Sequence, residues 1–159
     1  MNLFITSKCP KECAKFLDDK RVIKMCLETA QLLSTALRSH GYEGEGVYKP
    51  THINHPCTKW VAATRMNYLW TVQHLQALCG EYTKRYGKVH KCDGMIIKFL
   101  SMAKLIPFGA QTPFVNCAAN ASLGISYKSM ADTTRAYQLY LNDRWEHDKR
   151  TPTWNGAAA

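Results

Sequence analysis

No apolar run in this chain approaches the roughly 20 residues needed to cross a bilayer as a helix, so a helical membrane span is excluded. No apolar h-region follows the N-terminus, and no secretory signal peptide is expected. Internal repeats, low-complexity tracts and linkers are absent too. Acid is scarce: Asp and Glu number 12 against 21 Lys and Arg, for a formal charge of +9. That imbalance favours an anionic partner, nucleic acid first and an anionic membrane surface second. Cysteine is not scarce. There are seven, and an odd number argues against a closed disulfide framework. In an intracellular chain they remain thiols.

What is present reads as one helical domain. The chain has 159 residues, 46% of them hydrophobic, enough for one core. The fold class expected is all-α, a compact single domain over 1–155 with long loops, and 156–159 are set aside as a tail. Residues 1–7 read as extended chain or a short strand. Pro10 suits the first turn of a helix over 10–17. A second helix spans 19–39. After the Gly- and Pro-rich loop "SHGYEGEGVYKPTHINHP", a single long helix is expected over 57–86, because Val61, Tyr68, Val72, Leu75, Cys79, Tyr82 and Tyr86 repeat at helical spacing. Gly87 is its expected C-cap. A further amphipathic helix over 92–104 points Ile96, Ile97, Leu100 and Ala103 inward. The stretch 105–128 is irregular, and a last helix covers 129–147.

The helix over 19–39 raises the functional question. Arg21, Lys24, Glu28, Gln31 and Thr35 fall within roughly 80° of one another at about 100° per residue. Ile23, Cys26, Leu27, Ala30, Leu33 and Leu37 take the other side. Glu28 can be an ordinary i, i+4 partner of Lys24. It can also be a carboxylate held among cations to stabilise developing positive charge. In "YKPTHINHP", His52 and His55 sit in a loop that either aims them at a ligand or caps the next helix. "YTKRYGKVHK" mixes Lys84, Arg85, Lys88, His90 and Lys91 with Tyr82 and Tyr86. Cations interleaved with aromatics fit phosphate contact plus stacking, and also complement a helix C-terminus. Cys9, Cys13, His90 and Cys92 are a loose zinc set without the usual spacing, and Cys26, Cys79 and Cys117 read as small core residues. No metal or cofactor is expected.

Four pieces in chain order carry a family likeness: the start of the domain at the N-terminus, "RVIKMCLETAQLL", "INHP" followed by a helix closing in "EYTKRYGK", and "KRTPTW". Together the sequence resembles the bacteriophage pyrimidine-dimer DNA glycosylases with abasic-site lyase activity, the endonuclease V family, and their small bacterial relatives. It also looks like a set of phage proteins sharing "LETAQLLSTA", "THxNHP" and "PTW". The resemblance implies a base-acting enzyme on double-stranded DNA that flips a damaged or modified pyrimidine. Its nucleophile is an N-terminal amine, here that of Met1, since Asn2 should hinder methionine removal. Glu28 matches the helix carboxylate and His55 the loop histidine. Arg21, Lys24, Arg85, Lys149, Arg150 and Trp154 are the DNA contacts it implies, with Trp154 either stacking on an unpaired base or pinning the tail, and the loop and charge pattern read above add His52, Lys88, His90 and Lys91. A cytoplasmic monomer is expected, in the host cell if the gene is a phage's. Two alternatives stay open: a non-catalytic phage nucleic-acid-binding protein, and a base-modifying enzyme on the same fold.

Overall fold

In the computed structural model, which describes residues 1–157, six α-helices and one two-stranded ribbon follow in the order α1 (Pro10–Phe16), α2 (Asp19–Ser39), α3 (Pro56–Ala63), α4 (Arg65–Tyr86), α5 (Ile96–Ser101), β1 (Ala119–Asn120), β2 (Ile125–Ser126) and α6 (Thr133–His147). The fold is all-α apart from that ribbon. Residues 1–7 form no strand.

Helix α2 is the central element, packed against both α3 and α4. Its burial runs well beyond one stripe. Arg21, Val22, Met25, Cys26, Thr29, Ala30, Leu32, Leu33, Ser34, Thr35, Ala36 and Leu37 are all buried. Thr35 therefore belongs to the interior, where its hydroxyl accepts from the amide of Thr51. Only around Lys24, Glu28 and Gln31 does the expected polar stripe stay open.

Two adjacent acids organise the start of α2. Asp18 accepts through Oδ1 from Arg21 Nη1 at 3.1 Å and from Trp145 Nε1 at 2.8 Å, and it does not cap its own helix. Asp19 accepts from Arg85, from the Thr153 hydroxyl and from the amide of Gly156. The C-terminal segment is thereby strapped across the start of α2. Gly156 sits at φ +84°, and a Cβ there would run into the carbonyl of Arg85. The packed structure therefore extends past residue 155, through the first residue of the expected tail; 158–159 lie outside the described residues.

The long helix expected over 57–86 is two helices. Thr64 breaks away at φ −137°, ψ 154°, and its hydroxyl caps α4 by accepting from Asn67 N. The amides of Arg65 and Met66 turn to the carbonyls of Pro107 and Gly109. Gly87 ends α4 in the left-handed region at φ 65°, as its position predicts. The helix expected over 92–104 is a 3₁₀ turn (Lys91–Met95), short α5 and a second 3₁₀ turn (Ala103–Leu105). Its buried face is Ile96, Phe99 and Ala103. Ile97 is 80% exposed and Leu100 is exposed too, so these two do not point inward as the pattern suggested. Helix α6 starts at 133, capped by Asp132, whose carboxylate accepts from Arg135 N.

Candidate active site

Asn2 builds the floor of a cleft. Its Oδ1 accepts from Tyr137 Oη at 2.6 Å and from the amide of Leu3, while its Nδ2 donates to the carbonyl of Cys117. Tyr137 Oη in turn accepts from the Cys117 amide. One amide side chain thus joins the N-terminus, the 117 segment and α6. Leu3 and Ile5 anchor the same segment in the core. Between them Phe4 holds φ 52°, a conformation costing a side-chain-bearing residue about 1–2 kcal/mol. Its ring stacks on Tyr140 and meets Tyr137 edge-on, so packing offsets the strain.

The cleft above has a volume of about 260 Å³ and is lined by Met1, Asn2, Phe4, Lys24, Glu28, His55, Cys117, Ala119, Tyr140 and Arg144. The middle of α2 supplies Glu28, whose side chain is 19% exposed, with Lys24 Nζ 3.6 Å from Oε1. His55 is placed by α3. It is the N-cap, and its Nδ1 accepts from Cys57 N at 3.1 Å. A neutral imidazole whose Nδ1 accepts carries its proton on Nε2. The expected histidine is therefore both a cap and a cleft residue. Burial lowers its pKa, assisted by the charges of the N-terminus, His52 and Lys128, which favours the neutral donor form.

Three cleft residues carry no sequence signal of the kind used above. Arg144 donates from Nη1 to Tyr140 Oη at 3.1 Å, and its buried Nε has no partner. Tyr140 stands one helical turn before it. Cys117, expected in the core, is only partly buried and lies beside the N-terminal charge. Its thiol is drawn down to about 7, first by the hydrogen bond from Cys57, then by Lys128 and the N-terminus, against the opposing effect of burial.

The remaining expected contacts are scattered. Arg21 is buried between Asp18 and Asp148, with a two-pronged pair to Asp148 at 2.8 and 3.2 Å. Arg85 keeps 4% of its side chain exposed, paired with Asp19 and Glu81 and donating to the carbonyls of Leu17 and Lys15. Both guanidiniums, expected on the DNA surface, are instead engaged with carboxylates inside the protein. His90 caps a 3₁₀ turn through Nδ1 and lies edge-on to Tyr82, so it too is largely committed. Trp154 donates from Nε1 to the Phe16 carbonyl and packs edge-on against Trp145, the pinning role, though 43% of it stays exposed. His52, at φ 48°, is exposed in the turn before His55. Lys88, Lys91, Lys149 and Arg150 are exposed. The last two line a separate cleft of about 500 Å³ with Asp18, Lys20 and Asp148, which shares no residue with the first. Cys9 is exposed while Cys13 is buried and bonded to the Ser7 carbonyl. Among the described residues two thiol–imidazole groups do converge: His55, Cys57 and Cys117, and Cys26, Cys79 and His90.

Residues 1–93 match the family model for pyrimidine dimer DNA glycosylase. That stretch carries Met1, Lys24, Glu28 and His55, one whole side of the cleft. The chain belongs to the pyrimidine dimer DNA glycosylase family. No curated protein and no solved structure matches it. Membership in the glycosylase family implies DNA as the substrate class. The other wall of the cleft, with Cys117, Ala119, Tyr140 and Arg144, lies beyond the matched residues, as does the "KRTPTW" segment. Among the described residues no helix is long and apolar enough to cross a membrane.

Proposed function

We propose that this chain excises a damaged or modified pyrimidine from double-stranded DNA and then cleaves the abasic strand, with the α-amine of Met1 as nucleophile. The observation that carries this reading is the convergence of Met1, Glu28 and His55 in one cleft. A neutral amine attacks C1′ of the flipped nucleotide. The C1′–base bond breaks and its electron pair leaves with the base, which takes up a proton. The bound amine gives up a proton, the C1′–O4′ bond breaks with O4′ taking up a proton, and the nitrogen lone pair completes a Schiff base to C1′. Loss of a C2′ proton then expels the 3′ phosphate and nicks the strand. Glu28 stabilises the positive charge that grows at C1′, and is the acceptor placed to take the C2′ proton. His55 offers an Nε2–H to the departing base or a sugar oxygen.

The cleft is small, below the usual range for ligand pockets of about 300–1,000 Å³. It suits one sugar or base and not a length of duplex, in keeping with a flipped nucleotide. Lys24 and Arg144 at its rim, with His52 beside it, are the proposed phosphate contacts. Lys88, Lys91, Lys149 and Arg150 extend that contact over the surface. The test is a panel of duplexes carrying a cyclobutane pyrimidine dimer, an abasic site or a modified pyrimidine, read for base release and nicking. The wild type should nick dimer and abasic duplexes. Glu28→Gln should lose about a hundredfold in rate, on the order of 3 kcal/mol of barrier, while binding DNA as before. Duplexes left intact by the wild type, or an unchanged rate in Glu28→Gln, would favour the binding-protein reading, in which Glu28 serves only its ion pair with Lys24.

A further inference from the structure

A second cluster lies on the far side of α2 from the cleft. Cys26 and Glu28 are two positions apart on one helix, about 200° around its axis. Cys26 comes from α2, Cys79 from α4 and His90 from the turn that follows α4. One ligand atom of each lies within 4.8 Å of the others. Cys92, fully buried two residues after His90, adjoins both Cys26 and Cys79, and its Sγ sits 3.5 Å from Tyr48 Oη. Nothing in the proposed reaction uses these four residues.

We propose that Cys26, Cys79, Cys92 and His90 hold a structural zinc ion that clamps α2 to α4 behind the catalytic cleft. Zinc–sulfur bonds of about 2.3 Å and zinc–nitrogen bonds of about 2.0 Å in a tetrahedron put ligand atoms roughly 3.5–3.8 Å apart. The three that already converge, within 4.8 Å of one another, need to close by about 1.3 Å at most, and Cys92 completes the set by turning its thiol from Tyr48. Soft thiolates with one imidazole select zinc over magnesium or calcium. Plain core packing accounts for burying each thiol, but not for gathering three of them and an imidazole from distant parts of the chain. Zinc binds cysteines as thiolates. It must displace the thiol protons, so binding should strengthen as pH rises. In the metal-free form His90 Nδ1 accepts from Cys92 N, so ligation through either ring nitrogen gives up that cap.

The other group, His55, Cys57 and Cys117, is the rival site. It has three donors, its Cys57 thiol already leans on Asn2 Oδ1 at 3.8 Å, and the positive N-terminus stands beside it. The experiment is metal analysis of the full chain, purified under reducing conditions without a histidine tag, followed by cobalt titration of the stripped protein. About one zinc per chain is expected, with a thiolate-to-cobalt charge-transfer band and the visible bands of tetrahedral cobalt. Cys79→Ser and His90→Ala should each weaken cobalt binding at least tenfold, and Cys117→Ser should leave it unchanged. His90 is the more exposed ligand, so His90→Ala decides if Cys79→Ser does not fold. Absence of both zinc and the charge-transfer band from folded, reduced wild type would overturn the site. So would metal kept by His90→Ala and lost by Cys117→Ser, which would move the ion into the cleft. None of these readouts depends on glycosylase activity.

Discussion

Arg85 and Glu28 both stand on helices among charges, yet their surroundings separate them. Arg85 ends with two carboxylates and two carbonyls around it, whereas Glu28 has one loose partner and an open cleft. The sequence shows a charge but not the countercharge that folding brings to it. Asp148 reaches Arg21 from 127 positions away, and Asp19 reaches Arg85 from 66. That is why Arg21 and Arg85, expected at the DNA surface, are paired inside the fold, while the local pairing of Lys24 and Glu28 could be read from the sequence. Arg85→Ala leaves Asp19 buried without its cation, a change that typically costs about 3–5 kcal/mol. Chemical denaturation should show that loss, and DNA affinity of the folded fraction should be unchanged. A weaker affinity at normal stability would return Arg85 to the DNA surface. His74 gives a pH signature. It is fully buried on α4, bonded through Nδ1 to the Pro10 carbonyl, and burial lowers its pKa to about 4. Above about pH 6.5 it is neutral both folded and unfolded and contributes nothing to pH dependence. As pH falls from about 6.5 to 4 only the unfolded chain gains the proton, removing up to about 3 kcal/mol. The stability gap between wild type and His74→Gln should narrow by that amount over this window. A gap that stays constant would mean His74 takes up its proton in the folded state.

At the scale of elements, α1, α2 and the glycine stop of α4 followed from Pro10, the apolar spacing and Gly87, because each signal is local. The split at Thr64 did not. The apolar spacing of the sequence runs through it, and the amides released at the break are satisfied by the carbonyls of Pro107 and Gly109. Thr64 followed by Asn67 was a capping signal within the apolar pattern. Thr64→Ala should cost about 1 kcal/mol through loss of that cap, seen as a lower melting temperature with the helical content kept. An unchanged melting temperature would mean that the 107–109 segment alone makes the break. The 3₁₀ turns around α5 show the same limit: a residue pattern fixes which side chains are apolar, not whether short turns bury Phe99 in place of Leu100.

For the molecule as a whole, the matched residues 1–93 supply one wall of the cleft and the segment after 115 supplies the other. Met1, Glu28 and His55 were legible through the family's motifs. Asn2, Cys117, Tyr140 and Arg144 were not, because their role is created by an amide and a phenol meeting across 135 positions. The reaction proposed for this cleft requires the Met1 amine to reach C1′. Borohydride reduction of the chain mixed with an abasic duplex tests it most directly. It should yield a covalent protein–DNA adduct, and digestion with mass mapping should place the link on Met1. An added, blocked N-terminal residue should abolish the adduct without loss of DNA binding. No adduct on a duplex that the protein binds, or a link mapped to a lysine such as Lys24, would contradict the account.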